Sequence, residues 1–92
     1  MTTYEIDGRN FSTLDGFYDE VSRVLVPGAT WGRNLDAFDD VLYGGFGTPE
    51  DGFVVIWKNH DLSREALGEQ FDTLVEILSN HQAENRLSLV LA

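Results

Sequence analysis

The run Phe53-Val54-Val55-Ile56-Trp57 is apolar at every position and rich in β-branched and aromatic side chains. Successive side chains of a strand point to opposite sides, so this run leaves no polar position to face water. Such a strand belongs inside a parallel sheet covered by helices on both faces. The rest of the chain supplies matching parts. Tyr4-Glu5-Ile6-Asp7, before Gly8, reads as an opening strand, and Leu87-Ser88-Leu89-Val90-Leu91 as a closing one. Leu14, Phe17, Val21, Val24 and Leu25 recur at helical spacing. Ser12 is the predicted N-cap of that helix, with Asp15 completing a capping box, and Pro27-Gly28 stops it. A second helix is predicted from Leu35 to Tyr43, capped by Asn34. Leu62 to Leu67 form a short helical segment, set apart by Gly68 from a longer helix with the core stripe Phe71, Leu74, Val75 and Leu78. The order β-α-α-β-α-α-β separates successive strands by helices. The economical fold is therefore α/β, a three-stranded parallel sheet packed with about four helices. With 92 residues, no repeats and no internal linker, the prediction is a single domain over residues 1–92.

Charge narrows the function. Sixteen acids against six bases give a net charge of -10, which repels nucleic acid and anionic membranes and attracts basic partners. No window approaches the roughly 20 apolar residues of a membrane span. The first residues lack the basic-then-apolar pattern of a signal peptide, so a cytoplasmic protein is expected. The absence of cysteine excludes disulfides and thiolate metal sites. Acidity by itself also serves solubility; here its distribution is what informs.

The predicted helix over 35–43 places Leu35, Phe38, Val41 and Leu42 on one side and Asp36, Asp39, Asp40 and Tyr43 roughly opposite. No lysine or arginine lies between Arg33 and Lys58. The acid face is either a solvated surface or a face offered to a basic partner. A third possibility is an enzyme in which the acids converge on a divalent cation, but no histidine or loop oxygen supports them, and no catalytic group, metal or cofactor is assigned. Gly44-Gly45-Phe46-Gly47 lacks the lysine of a phosphate-binding loop, and neighbouring acids would repel phosphate. It reads as a turn or a contact loop, with Phe46 either a lid on the core or an exposed anchor. Trp31 either packs under the acidic helix or forms one wall of its face, whereas Trp57 belongs to the core. His60 and His81 stand apart from any nucleophile motif and receive no role, although His81 near a helix end suits the helix dipole.

The segment Trp31-Gly32-Arg33-Asn34-Leu35-Asp36-Ala37, followed by Asp40 and Leu42, resembles the signature of the barstar family, intracellular inhibitors of secreted bacterial ribonucleases. That signature is aromatic-Gly-x-Asn-Leu-Asp-Ala, then an acid four residues after the first Asp. The likeness extends over nearly the full chain. Ile6-Asp7-Gly8 resembles the family's first strand and turn, Val55-Ile56-Trp57 its central strand, and Leu89-Val90-Leu91 its last. The resemblance implies a monomeric inhibitor, not an enzyme, that plugs a guanyl-preferring microbial ribonuclease in a 1:1 complex. Asp40 matches the key acid that occupies the substrate phosphate position, and Asp36 the second acid. Thr30, Asn34 and Leu35 match further contact positions, and Tyr43 and Gly44 the segment after the helix that meets the enzyme. Trp31, Asp39 and Phe46 complete the implied face. Asp39 stands where the family's namesake has a tryptophan. The family's contact acid on the last long helix has no matching acid, Ser79 lying nearest. An alternative is a module of this fold that binds a different basic protein or toxin nuclease. The physics is consistent with the first reading: a ribonuclease site gathers cations to stabilise phosphate, and preformed acids steer the encounter.

Overall fold

The computed structural model describes all residues, 1–92. Strand β1 (Thr2–Asp7) runs into a single 3-10 turn (Gly8–Asn10), followed by α1 (Leu14–Val24), α2 (Leu35–Tyr43) and β2 (Phe53–Lys58). Helices α3 (His60–Leu67) and α4 (Glu69–Ala83) then lead to β3 (Leu87–Leu91). The sheet is three-stranded and parallel in the order β1-β2-β3, with Tyr4, Val55 and Leu89 in one row and Ile6, Trp57 and Leu91 in the next. The α/β architecture inferred from the sequence is the one observed.

Two local expectations are corrected. The strand β2 is not covered on both faces. Phe53, Val55 and Trp57 are buried, but Val54, Ile56 and Lys58 are only half-buried. The neighbouring residues on that second face, Thr3, Glu5, Ser88 and Val90, are exposed. The reason is topological: the strand order never reverses, and two crossovers of the same hand then lay their helices on one side. The open face is finished with a Glu5–Lys58 ion pair at 3.6 Å and with small polar side chains beside Val54. The second correction concerns the start of α1. Thr13, not Ser12, is the N-cap, and its hydroxyl accepts from the Gly16 N–H at 3.0 Å. The helix begins one residue later than predicted, which leaves Asp15 outside any capping box.

The helices and the covered sheet face enclose one core of 19 buried apolar residues. Its centre is aromatic. Trp57 stacks on Phe17 with ring centroids 5.2 Å apart and meets Phe71 edge-on at 5.1 Å. Its indole N–H donates to Ser63 Oγ at 3.0 Å, so the one polar atom of a fully buried side chain is satisfied. The turn after β1 approaches α3 so closely that a Cβ on Gly8 would lie 2.3 Å from the Asn59 carbonyl oxygen. Only glycine fits there.

A buried carboxylate secures the other side of that turn. Glu20 of α1 is 4% exposed. It accepts from the Asp7 N–H at 2.9 Å, from Asn10 Nδ2 at 3.0 Å and from Arg23 at 2.8 Å. Burial pushes its pKa up, but the bonds from Asp7, Arg23 and Asn10 outweigh burial and hold it below the ordinary value. Asp7 is also held low, by the Arg9 side chain and N–H and by Asn59. Depressed carboxylates contribute stability that is complete above their unfolded pKa and lost as pH falls through the folded one. The protein should therefore lose stability progressively below the ordinary Glu and Asp range, about pH 4. At neutral pH, Glu20→Gln should cost about 1–3 kcal/mol, because the amide NH2 must face a donor that the carboxylate accepted. Urea unfolding of both proteins across pH 3–7 measures both effects, with the slope at low pH shallower in the variant.

Candidate functional site

The acidic helix is held from both ends and from below. Asn34 caps it, Oδ1 accepting from the Ala37 N–H at 2.8 Å. Phe38, Val41 and Leu42 are buried, and Phe38 meets Phe17 edge-on at 5.2 Å. At the far end Gly44 ends the helix with φ +116, a conformation that a side chain resists. The glycine loop folds back, and Thr48 Oγ1 donates to the Val41 carbonyl at 3.4 Å. With its apolar side committed to the core, α2 can only turn its acids outward.

Asp36, Asp40 and Tyr43 are exposed, and neither Asp36 nor Asp40 is in an ion pair. Arg33, the nearest base in sequence, is directed elsewhere. Its guanidinium bonds Asp19 at 2.7 Å and Asp15 at 3.1 Å, both on α1. These bonds, Asp19's first, hold its proton more tightly still. The two acids are thus left without an internal counter-ion. Asp36 lies in the first turn, where the helix dipole favours it, but Asp40 lies in the last turn, where no base offsets the dipole.

The third acid behaves differently. Asp39 Oδ1 is 2.6 Å from Nε2 of His81, a residue of α4 that is 2% exposed. Arg86 Nε donates to the other ring nitrogen, Nδ1, at 3.0 Å. The Arg86 guanidinium also lies 4.1 Å over the Tyr43 ring, and Tyr43 meets the His81 ring edge-on at 4.6 Å. With Asn80 and Glu84, these residues line a cleft of about 330 Å³ between α2 and the end of α4. The three carboxylates therefore do not converge on one point, and no group of three or more His, Asp or Glu side chains is gathered to hold a metal ion. A second cleft of about 320 Å³, around Asp51, Asn85 and Ser88, contains no residue of α2.

The remaining residues singled out from the sequence divide into exposed and packed. Thr30 and Asn34 are exposed, and Gly44 is half-buried. Trp31 packs inward: it is 8% exposed, donates from Nε1 to Ser22 Oγ at 2.7 Å, and meets Tyr18 edge-on at 5.5 Å. Leu35 and Phe46 are half-buried against the core, so Phe46 is a lid with one side free. Ser79 is exposed on α4.

Comparison with known proteins identifies the family. The sequence profile described as Barstar (barnase inhibitor) matches residues 1–90. The chain belongs to the barstar family. A relative from Bacillus subtilis (strain 168), "Putative ribonuclease inhibitor YrdF", is 33% identical over 79 residues, covering 86% of this chain and 84% of that protein. In this barstar-family chain, Trp31 to Ala37 form the linker and first turn of α2, and Asp36 and Asp40 lie on its outer face.

Sequence reasoning missed His81, Arg86 and the bond to Asp39. A signal for the first was present. Phe71, Leu74 and Leu78 are followed at the next helical step by His81, which places an imidazole on the core stripe, where it needs a polar partner. Arg86 lies outside any regular element and carries no such signal.

The environment of Asp40 and the cap at Asn34 make opposite demands on stability. Asp40→Asn should stabilise the free protein slightly, by about 0.5 kcal/mol or less, because it removes a charge that opposes the dipole and its neighbouring acids. Asn34→Ala should destabilise it by about 1 kcal/mol through loss of the cap. Urea unfolding at low ionic strength separates the two.

Proposed function

We propose that this chain inhibits a secreted, guanyl-preferring microbial ribonuclease, as a monomer in a 1:1 complex, by seating the outer face of α2 in the active site. The observation that carries the reading is the pair of exposed, unpaired acids Asp36 and Asp40 on a helix whose nearest base in sequence is tied to α1. Membership of a family described as barnase inhibitors supports it, as does the name of the B. subtilis relative. In this reading Asp40 takes the place of the substrate phosphate among the enzyme's cations, and Asp36 pairs with a second cation nearby. Thr30, Asn34, Leu35, Tyr43, Gly44 and the free side of Phe46 surround them. The protein acts by occupation and does no chemistry; it needs no cofactor, and its place of action is the cytoplasm.

A second reading is that the same face binds a different basic protein, such as another toxin nuclease. The Asp39–His81 bond favours it, because the namesake's tryptophan position here carries an acid engaged within the chain. A panel of purified secreted ribonucleases, barnase among them, decides between the two. Tight inhibition of any of them supports the first reading, and binding to none of them removes it.

Asp40→Ala should weaken inhibition by about 2–5 kcal/mol, a range drawn from known complexes, the barnase–barstar pair among them. The inhibition constants of parent and variant test this, and equal values would falsify the phosphate-mimic account. The net charge of -10 predicts a second effect. Added salt should slow association steeply and leave dissociation nearly unchanged. Stopped-flow mixing over a range of ionic strength measures it; an association rate indifferent to salt would point to an apolar interface instead.

A further inference from the structure

His81 is the one polar member of the buried stripe Phe71, Leu74, Leu78 and His81 on α4, and the inhibitor reading gives it no contact with a target. Both of its ring nitrogens are engaged. Arg86 Nε lies 3.0 Å from Nδ1, and an arginine Nε–H can only donate. Nδ1 is therefore the acceptor and carries no proton. The proton of the neutral ring sits on Nε2 and is donated to Asp39 Oδ1 at 2.6 Å. Arg86 is itself held in place. Its own N–H donates to the His81 carbonyl at 3.0 Å, and its guanidinium pairs with Glu84.

We propose that His81 is a positioning residue for the acidic face: through its Nε2–H bond to Asp39, its edge contact with Tyr43 and its hold on Arg86, it fixes the rim of that face beside Asp40. The inference rests on the inhibitor reading and concerns how the face is held. Tyr43 is 56% exposed, yet its ring is covered by the Arg86 guanidinium on one face and touched by the imidazole. An exposed aromatic held in this way meets a partner without losing side-chain freedom on binding. Asp39, whose carboxylate already accepts a hydrogen bond, is held by the same contact. Asp36 and Asp40 remain the free charges of α2.

The test is a double-mutant cycle on inhibition of whichever secreted ribonuclease the parent chain inhibits most tightly. His81→Phe keeps a ring and removes both hydrogen bonds, His81→Gln restores a donor, and Asp39→Ala removes the acceptor. His81→Phe should weaken inhibition about tenfold, His81→Gln should recover most of the loss, and His81→Phe should add little once Asp39 is alanine. A His81→Phe variant that inhibits like the parent, or whose effect multiplies in full with that of Asp39→Ala, overturns the proposal. Long-range proton–nitrogen NMR of the parent should show His81 as the Nε2–H tautomer at neutral pH, and the Nδ1–H tautomer overturns it. If His81→Phe does not fold, Arg86→Leu at the half-buried rim takes its place. It removes the cover over the Tyr43 ring while the Asp39 carboxylate still requires the proton on Nε2, so an unchanged tautomer with weaker inhibition is expected, and unchanged inhibition overturns the proposal. A parent chain that inhibits no ribonuclease removes the proposed function and this role with it. A parent that inhibits while the variants do equally well removes only the role of His81.

Discussion

Trp57 lies near the C-terminal end of the middle strand and meets residues of α1, α3 and α4. It stacks on Phe17 of α1, meets Phe71 of α4 edge-on, lies 6.2 Å from Phe11 before α1 and bonds Ser63 of α3. Phe17 in turn carries the contact to Phe38, the buried aromatic of α2. The orientation of the acidic helix is thus set by a chain of rings that starts on the sheet. Close-packed aromatics have few alternative arrangements, since any rotation opens a void or forces a clash. A binding helix seated on such a base presents its outer face without needing to be ordered by its partner.

Against that base the acids of β1, α1 and α2 separate into two groups. Glu20, Asp7, Asp15, Asp19 and Asp39 are engaged by Arg23, Arg9, Arg33 and His81, and they tie loops and helices together. Asp36 and Asp40 have no such partner. Two unpaired acids one turn apart repel each other, and Asp40 also opposes the helix dipole. The dipole favours Asp36 at the helix start, but the folded chain gains nothing from Asp40, and a cationic surface docked on the pair would offset their repulsion. Local destabilisation at a site that serves binding is a common division of labour in proteins.

At position 39, where the resemblance to the family implies a tryptophan, this chain has an acid. The same acid then serves as acceptor for His81, whose other nitrogen holds Arg86 over Tyr43. One acid on α2 is thus met by groups on α4 and in the segment before β3.

The sequence by itself determined the order of the elements, the parallel sheet, the two faces of α2 and the Asn34 cap. Each of these depends on spacing within one element or on neighbours a few residues apart, and Asn34 reaches only as far as Ala37. Only the tertiary structure decided that the sheet is covered on one face, that Trp31 packs inward, that Glu20 is a buried tie, and that Asp39 is claimed by His81. That last pair is 42 residues apart in sequence, and whether the two meet depends on how α2 and α4 cross. Periodicity states which way a side chain points from its own helix. It carries no term for what another helix brings to meet it, because that is set by the packing of the whole core.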